Sequence, residues 1–249
     1  MSSYQTLDGT EQPEEANIYQ HHDLQDIEIT FRGRKIRVFD GDKLGAHLAK
    51  GRYYDIENLR LTKQYIGPDT IVIDIGANIG NHSLYYLIEC GCKNVHAFEP
   101  VPETFALLLH NLKDFSNALS YNIGLSDEVR TYDHGGINPE RVGSTVFAES
   151  DTGTVFQTLD EYELNAGFIK IDVEGFELNV LKGALETIHR CRPVIAVEVR
   201  ETEAISAGMG QHLPETAVVV KEFLLSEGYK IRTTRTGATQ FICIPTSPS

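Results

Sequence analysis

The chain has 249 residues, 41% hydrophobic and 23% charged, which fits one sizeable folded core and excludes a disordered chain. Its 22 basic and 36 acidic side chains leave a formal charge of −14, a balance that disfavours broad electrostatic nucleic-acid binding. No apolar run exceeds five residues (Phe105 to Leu109 is one), so no membrane span is expected. The opening MSSYQTLDGTEQPEE lacks the basic and apolar regions of a signal peptide, so the cytoplasm is the expected compartment.

Residues 1–24 are polar, acidic and without periodicity, and read as a mobile tail. Ile27, Ile29 and Phe31 alternate, Arg32-Gly33 turns, and Ile36 and Val38 return, which is a β-hairpin pattern. Lys43 to Tyr65 reads as two short helices separated by Gly51-Arg52-Tyr53-Tyr54. This leading section, residues 25–68, is expected to cap the larger domain that begins at residue 69. Cys90, Cys92, Cys191 and Cys243 contain no C-x-x-C pair and read as reduced thiols rather than zinc ligands.

From residue 69 onward strands and helices alternate. Ile71 to Ile75 is a β-branched apolar run, as expected of a strand buried on both faces. Leu84, Leu87 and Ile88 follow at helical spacing, and Val95 to Phe98 is a second strand. Pro102 starts a helix carrying Phe105, Leu108, Leu109 and Leu112, and Leu119 to Ile123 makes a third strand. Residues 126–160 read as irregular, with β-like pieces at Val129–Tyr132 and Thr154–Phe156. Phe168–Ile171 and Val194–Val197 are further strands, separated by a helix face of Leu178, Leu181, Leu185 and Ile188. Pro214 opens a helix with Ala217, Val220 and Leu224; Tyr229–Arg232 and Phe241–Ile244, joined across Gly237, form a closing antiparallel hairpin. The pattern predicts a Rossmann-like α/β domain with a mostly parallel central sheet and helices on both faces.

In such sheets ligands bind outside the carboxyl ends of the strands. The first strand runs into Asp74-Ile-Gly76-Ala-Asn78-Ile-Gly80, where the glycines allow a tight turn and close approach to a ligand, and Asn78 tolerates an unusual backbone conformation. The second strand ends at Glu99-Pro100, where a carboxylate can accept two hydrogen bonds from a ribose diol. A dinucleotide site wants G-x-G-x-x-G, and the offsets here hold Gly76, Asn78 and Asn81, so two of three glycines are missing. Asp74 would also face the phosphates. A cofactor with an ammonium group and no phosphate suits these residues better, which favours S-adenosylmethionine over NAD.

VIDIGANIGNHSLYYL, VHAFEPVPETFALLLHNL, TLDEY, FIKIDVEGFELNVLKGALETI and RPVIAVEV together resemble the FkbM-type S-adenosylmethionine-dependent methyltransferase family, over residues 70–200. The resemblance implies a class I methyltransferase fold over residues 69–249 and methyl transfer to a hydroxyl oxygen of a sugar, glycan or natural product. It matches Asp74, Gly76, Ala77, Asn78 and Gly80 to the loop beneath the cofactor's methionine portion, Glu99 to the ribose-binding acid, and Pro100 and Val101 to the flank of the adenine. Asn122 and Gly124 fall where such folds hold the adenine ring. His82 and Ser83 could reach the cofactor, or could merely cap an exposed helix start.

The fourth strand delivers Asp172, then Val173 and Glu174. Two adjacent carboxylates disfavour each other's ionisation, so one could act as the base for the acceptor hydroxyl, or both could hold a divalent cation that lowers its pKa. Asp172 could instead anchor the cofactor's ammonium, and Glu174 could cap the next helix. His134, within Asp133-His-Gly-Gly136, is a further candidate base from a loop expected to overhang the pocket. Glu198 could face the pocket or pair with Arg200; Tyr53 and Tyr54 could line it or serve packing. Lys170 is expected to reach a partner at the sheet edge. The alternatives to a methyltransferase are a non-catalytic glycan- or partner-binding module and a dinucleotide-dependent oxidoreductase. A nucleic-acid methyltransferase would share the cofactor but stands against the charge.

Overall fold

The computed structural model describes residues 25–134, 145, 147–199, 217–236 and 238–246. The segment 1–24, Gly135 and Gly136, Arg200, Pro214 and Gly237, each of which carries an expectation from the sequence, lie outside the described residues.

β1 (Asp26–Phe31) and β2 (Arg34–Phe39) form the antiparallel hairpin, with Arg32 and Gly33 both at positive φ in the turn. α1 (Lys43–Ala49) starts on the Asp42 carboxylate, which accepts the Gly45 N–H at 3.0 Å, and α2 (Ile56–Thr62) follows. Then come β3 (Ile71–Ile75), α3 (Asn81–Tyr85, continued by a π turn over Tyr86–Cys90), β4 (Asn94–Phe98), α4 (Pro102–Leu112) and β5 (Ala118–Tyr121).

The stretch read as irregular is a small sheet of its own. β6 (Gly124–Leu125), β7 (Arg130–His134), β8 (Phe147–Glu149) and β9 (Thr154–Gln157) pair in the order β6-β9-β7-β8. Its strands have two to five residues and mix parallel with antiparallel pairing, so no sustained alternation marks them in the sequence.

β10 (Phe168–Ile171), α5 (Glu177–Lys182), α6 (Leu185–Cys191), β11 (Val194–Val199), α7 (Ala217–Ser226), β12 (Tyr229–Thr236) and β13 (Ala238–Pro245) complete the chain. The main sheet has the order β12-β13-β11-β10-β3-β4-β5, parallel from β11 to β5, with β13 antiparallel to both neighbours. It is a Rossmann-like α/β fold, as the alternation of strands and helices predicts. After β5 the chain returns across β3 to lay down β10, so strand order reverses between β3 and β10, and a crevice opens there.

Alternate residues of each central strand feed two cores. Val72, Val95, Ala97, Phe168 and Ala196 pack on one face; Ile73, Ile75, Phe98, Ile169, Ile171 and Val197 pack on the other. Phe31, Ile36, Val38, Leu48 and Leu59 of the leading section are buried in the first of these cores. Burial at roughly 25 cal/mol per Å² of apolar surface therefore ties the hairpin and first helices to the sheet.

Candidate active site

A cavity of about 350 Å³ opens at the carboxyl ends of β3, β4, β10 and β11, within the size range of small-molecule sites. Strand ends supply Gly76, Ala77, Asn78, Glu99, Pro100, Val101, Asp172, Val173, Glu174 and Glu198. Tyr54 and Asp55 come from the leading section, Asn81 and His82 from the start of α3, and Ile123, Gly124, Leu125, Phe147 and Phe156 form an apolar wall.

The turn after β3 is built by its own backbone. Gly76 and Ala77 donate their N–H groups to the Phe98 carbonyl at 3.0 and 2.9 Å. Gly76 lies at φ 71°, and a Cβ there would sit 1.9 Å from the Asp172 carbonyl oxygen. The close approach that demands glycine is thus to the neighbouring strand end rather than to a ligand. Gly80 serves packing too: a Cβ would meet the Leu108 side chain of α4 at 3.1 Å. Asn78 adopts φ 52°, and its own Oδ1 accepts the Ile79 N–H at 2.7 Å.

Glu99 is 6% exposed and accepts one backbone N–H on each oxygen, from Asn78 at 2.9 Å and from Val101 at 3.0 Å. Burial pushes its carboxyl up to about 7 against the opposing pull of those two hydrogen bonds. Asn122 stands outside the cavity lining and holds this strand end by donating to the Glu99 and Pro100 carbonyls at 2.9 and 3.2 Å.

Asp74 and Ser83 also stand behind the lining. Both are wholly buried, and Ser83 Oγ donates to Asp74 Oδ2 at 2.6 Å, so Ser83 does not mark an exposed helix start. On the cavity side of Asp74 lies Lys170, with Nζ 3.3 Å from Asp74 Oδ1 and 3.8 Å from Asp172 Oδ2. The same ammonium donates to the Gly76 carbonyl at 2.7 Å and the Ile75 carbonyl at 3.3 Å. Burial pulls the lysine down, but the charges of Asp74 and Asp172 outweigh it and hold Lys170 above its ordinary range.

Acidic groups outnumber basic ones in the rest of the cavity, where Lys43 is the other lysine. The Asp172 carboxylate, with burial adding to it, pushes Glu198 up to about 8. Burial raises Asp55 to about 6, opposed by the Asn58 amide, which donates to both its oxygens at 3.0 and 2.8 Å. His82 is driven down to about 4, by burial first and then by Lys170, so the imidazole is neutral at physiological pH. Glu174 lines the cavity at φ 54°, and Phe176, not Glu174, occupies the cap position of α5. The local bond at that helix entry belongs to Glu177, which accepts the Gly175 N–H at 3.0 Å.

His134 is not in the cavity lining. Its imidazole faces Glu103 across 3.9 Å and packs beside Phe147. Of the two tyrosines, Tyr53 packs between Phe31 and Tyr85, while Tyr54 faces the cavity. Lys170, Asn81 and Asp55 escaped the sequence reading as cavity residues; only the lysine left a signal there, a lone charge inside an apolar strand. Among the described residues no group of three or more His, Cys, Asp or Glu side chains is arranged to hold a metal ion. No helix among them is long and apolar enough to cross a membrane.

The cavity fits a cationic nucleoside cofactor. Six carboxylates, of Asp42, Asp55, Glu99, Asp172, Glu174 and Glu198, share the lining with two ammonium groups, the committed Lys170 and Lys43 over the Tyr54 ring. A buried acid stands at the end of β4, and apolar side chains offer a wall for a flat ring.

Residues 74–231 match the family model described as the Methyltransferase FkbM domain. The hexuronic acid methyltransferase AglP of Haloferax volcanii is 29% identical over 148 residues, 55% of this chain and 59% of that protein. The 31-O-demethyl-FK506 methyltransferase FkbM of Streptomyces tacrolimicus is 31% identical over 113 residues, 43% of this chain and 41% of that protein. The chain therefore spans less than two thirds of either curated relative. Among solved structures, methyltransferase FkbM from Methylobacillus flagellatus superimposes with a TM-score of 0.52 at 18% identity, covering 72% of this chain and 44% of that one.

Proposed function

The chain belongs to the FkbM methyltransferase domain family, and from that premise we propose that it moves the methyl group of S-adenosylmethionine to a hydroxyl oxygen of a sugar, glycan or natural-product acceptor. The observation that carries this reading is the acidic cavity at the strand-order reversal, with Glu99 and Asp172 on strands either side of β3. A sulfonium cofactor brings an already activated methyl group, so the protein's work is alignment, charge placement and exclusion of water.

In this reading Glu99 takes the ribose hydroxyls on the lone pairs its backbone bonds leave open. Val101, Ile123 and Leu125 flank the adenine, and the Gly76–Asn78 turn runs beneath the methionine portion. Asp172 receives the ammonium. Residues 25–68 act as the acceptor cap, with Tyr54 and Asp55 on the acceptor side facing Glu174 and Glu198. Asp172 and Glu198 end neighbouring strands, one residue beyond the Ile171–Val197 pair. Without ligand, Glu198 holds a proton because of the Asp172 charge. A cofactor ammonium on Asp172 opposes that effect and releases the proton to solvent, and the ionised Glu198 can then take the acceptor's hydroxyl proton as the oxygen attacks in line. The relative named for a hexuronic acid supports a sugar-derived acceptor, and the one named for 31-O-demethyl-FK506 supports transfer to oxygen.

The test is calorimetric titration of the chain with S-adenosylhomocysteine, with NAD as the parallel ligand. Saturable binding of the first alone is the expected result; binding of NAD alone would transfer the site to a dinucleotide enzyme. Methyl-labelled S-adenosylmethionine with hexuronic acids and other hydroxylated sugars then reads acceptor class.

A further inference from the structure

Asp74 heads the Gly76–Gly80 turn, and a carboxylate at that place invites assignment as a direct cofactor ligand. Its surroundings contradict that role. The side chain is 0% exposed and outside the cavity lining. Its Oδ2 accepts from the Ser83 hydroxyl, and Oδ1, which accepts no hydrogen bond among the described residues, is in an ion pair with the Lys170 ammonium at 3.3 Å. Lys170 stands between it and the cavity, and the ammonium's own contacts run to two carbonyls of the turn and to Asp172. What that turn carries is the Asn78 N–H that fixes Glu99.

Resting on the cofactor reading above, we propose that Asp74 and Lys170 are positioning residues that never touch the cofactor: Asp74 holds Lys170, and Lys170 clamps the Gly76 turn and Asp172, which do. The buried negative charge keeps the ammonium protonated and in place. The ammonium draws the Ile75 and Gly76 carbonyls and the Asp172 carboxylate to one point. Through the turn, the same clamp sets Asn78 against Glu99, so both the amino-acid end and the ribose end of the ligand depend on it.

The two roles separate when two ligands are compared. S-adenosylhomocysteine carries the amino-acid portion; 5′-methylthioadenosine has the same nucleoside and lacks it. Asp74→Asn keeps the shape and can still accept from Ser83, so it is the variant to titrate calorimetrically with both, in the full chain. The expected result is a loss of about tenfold for 5′-methylthioadenosine and at least as large a loss for S-adenosylhomocysteine, which depends on the clamp at its ribose end and, through Asp172, at its amino-acid end. A loss for S-adenosylhomocysteine alone would mean direct contact with the amino-acid portion, and no loss for either would remove the clamp; each outcome overturns the proposal. Lys170→Met, paired with Asp74→Asn so that no lone charge is buried, should weaken both ligands by at least as much. Retention of wild-type affinity by that double variant would also overturn it. A wild-type chain that binds neither ligand would instead refute the cofactor reading.

Discussion

The side-chain amide of Asn81 is bonded at both ends to the backbone of Tyr54: Oδ1 accepts the Tyr54 N–H at 2.9 Å and Nδ2 donates to the Tyr54 carbonyl at 3.0 Å. Asn111 does the same for β2, accepting the Arg37 N–H at 2.7 Å and donating to the Arg37 and Ile79 carbonyls at 2.9 and 2.8 Å. Two asparagines of the family-matched region thus grip a leading section that the family model does not cover. Asn81 stands where a dinucleotide fingerprint would want its last glycine, which gives that departure a physical reason.

Asn81 is 1% exposed, so its removal leaves the part-buried Tyr54 N–H and carbonyl without these partners. Asn81→Ala should cost about 2 to 4 kcal/mol in urea unfolding. Asn81→Asp should not restore it, since a carboxylate cannot donate to the Tyr54 carbonyl and adds a buried charge. A loss under about 1 kcal/mol in both would show that apolar packing alone seats the cap.

Gly76→Ala tests the approach of β3 to β10. The added carbon would overlap the Asp172 carbonyl at 1.9 Å in a left-handed conformation, so two penalties coincide. Destabilisation of about 3 kcal/mol or more is expected, together with loss of S-adenosylhomocysteine binding. A melting temperature near wild type would mean that the two strand ends part easily.

The central strands were legible because they are continuous apolar runs, and Asp74, Glu99 and Asp172 were legible because they end those runs. What stayed hidden depends on pairing across the fold. Lys170, expected to reach a partner at the sheet edge, sits instead on a central strand, and its place there is explained by Asp74 and the Ile75 and Gly76 carbonyls beside it and by Asp172 at its own strand's end. Of the small sheet, β7 and β9 showed as the β-like pieces Val129–Tyr132 and Thr154–Phe156, while β6 and β8, of two and three residues, are too short to show a period. His134 was drawn by its chemistry alone, and nothing local to the sequence shows that it faces Glu103.

Stability should fall as pH rises through neutrality. Burial holds both Glu99 and Glu177 at about 7, above their ordinary value, so the folded chain binds protons that the unfolded chain has lost. The contribution of each is whole below the unfolded glutamate value, declines as pH climbs toward about 7, and is gone above it. Each buried group is worth on the order of 3 kcal/mol, and relief of the −14 charge acts in the same direction. Melting of the ligand-free chain at pH 5.5 and 8.5 reads this directly, with the higher midpoint expected at 5.5. Glu177→Gln should flatten part of the slope; an unchanged slope would remove Glu177 from the account.

Ligand affinity should run the other way. Ribose hydroxyls donating to Glu99 favour its ionised form, so binding expels the proton that burial holds there. Affinity for S-adenosylhomocysteine should rise with pH, by at most about tenfold per pH unit, and level off above about 7. Below that point calorimetric enthalpies should vary with the buffer's ionisation heat, reporting proton release. Glu99→Gln turns an amide NH₂ toward either the Asn78 or the Val101 N–H, and should bind about ten- to a hundredfold more weakly, with a shallower rise below about pH 7 that leaves only what Asp55 and Glu198 contribute. A pH-independent wild-type affinity would mean that Glu99 keeps its proton in the complex and meets the ribose as a neutral acid.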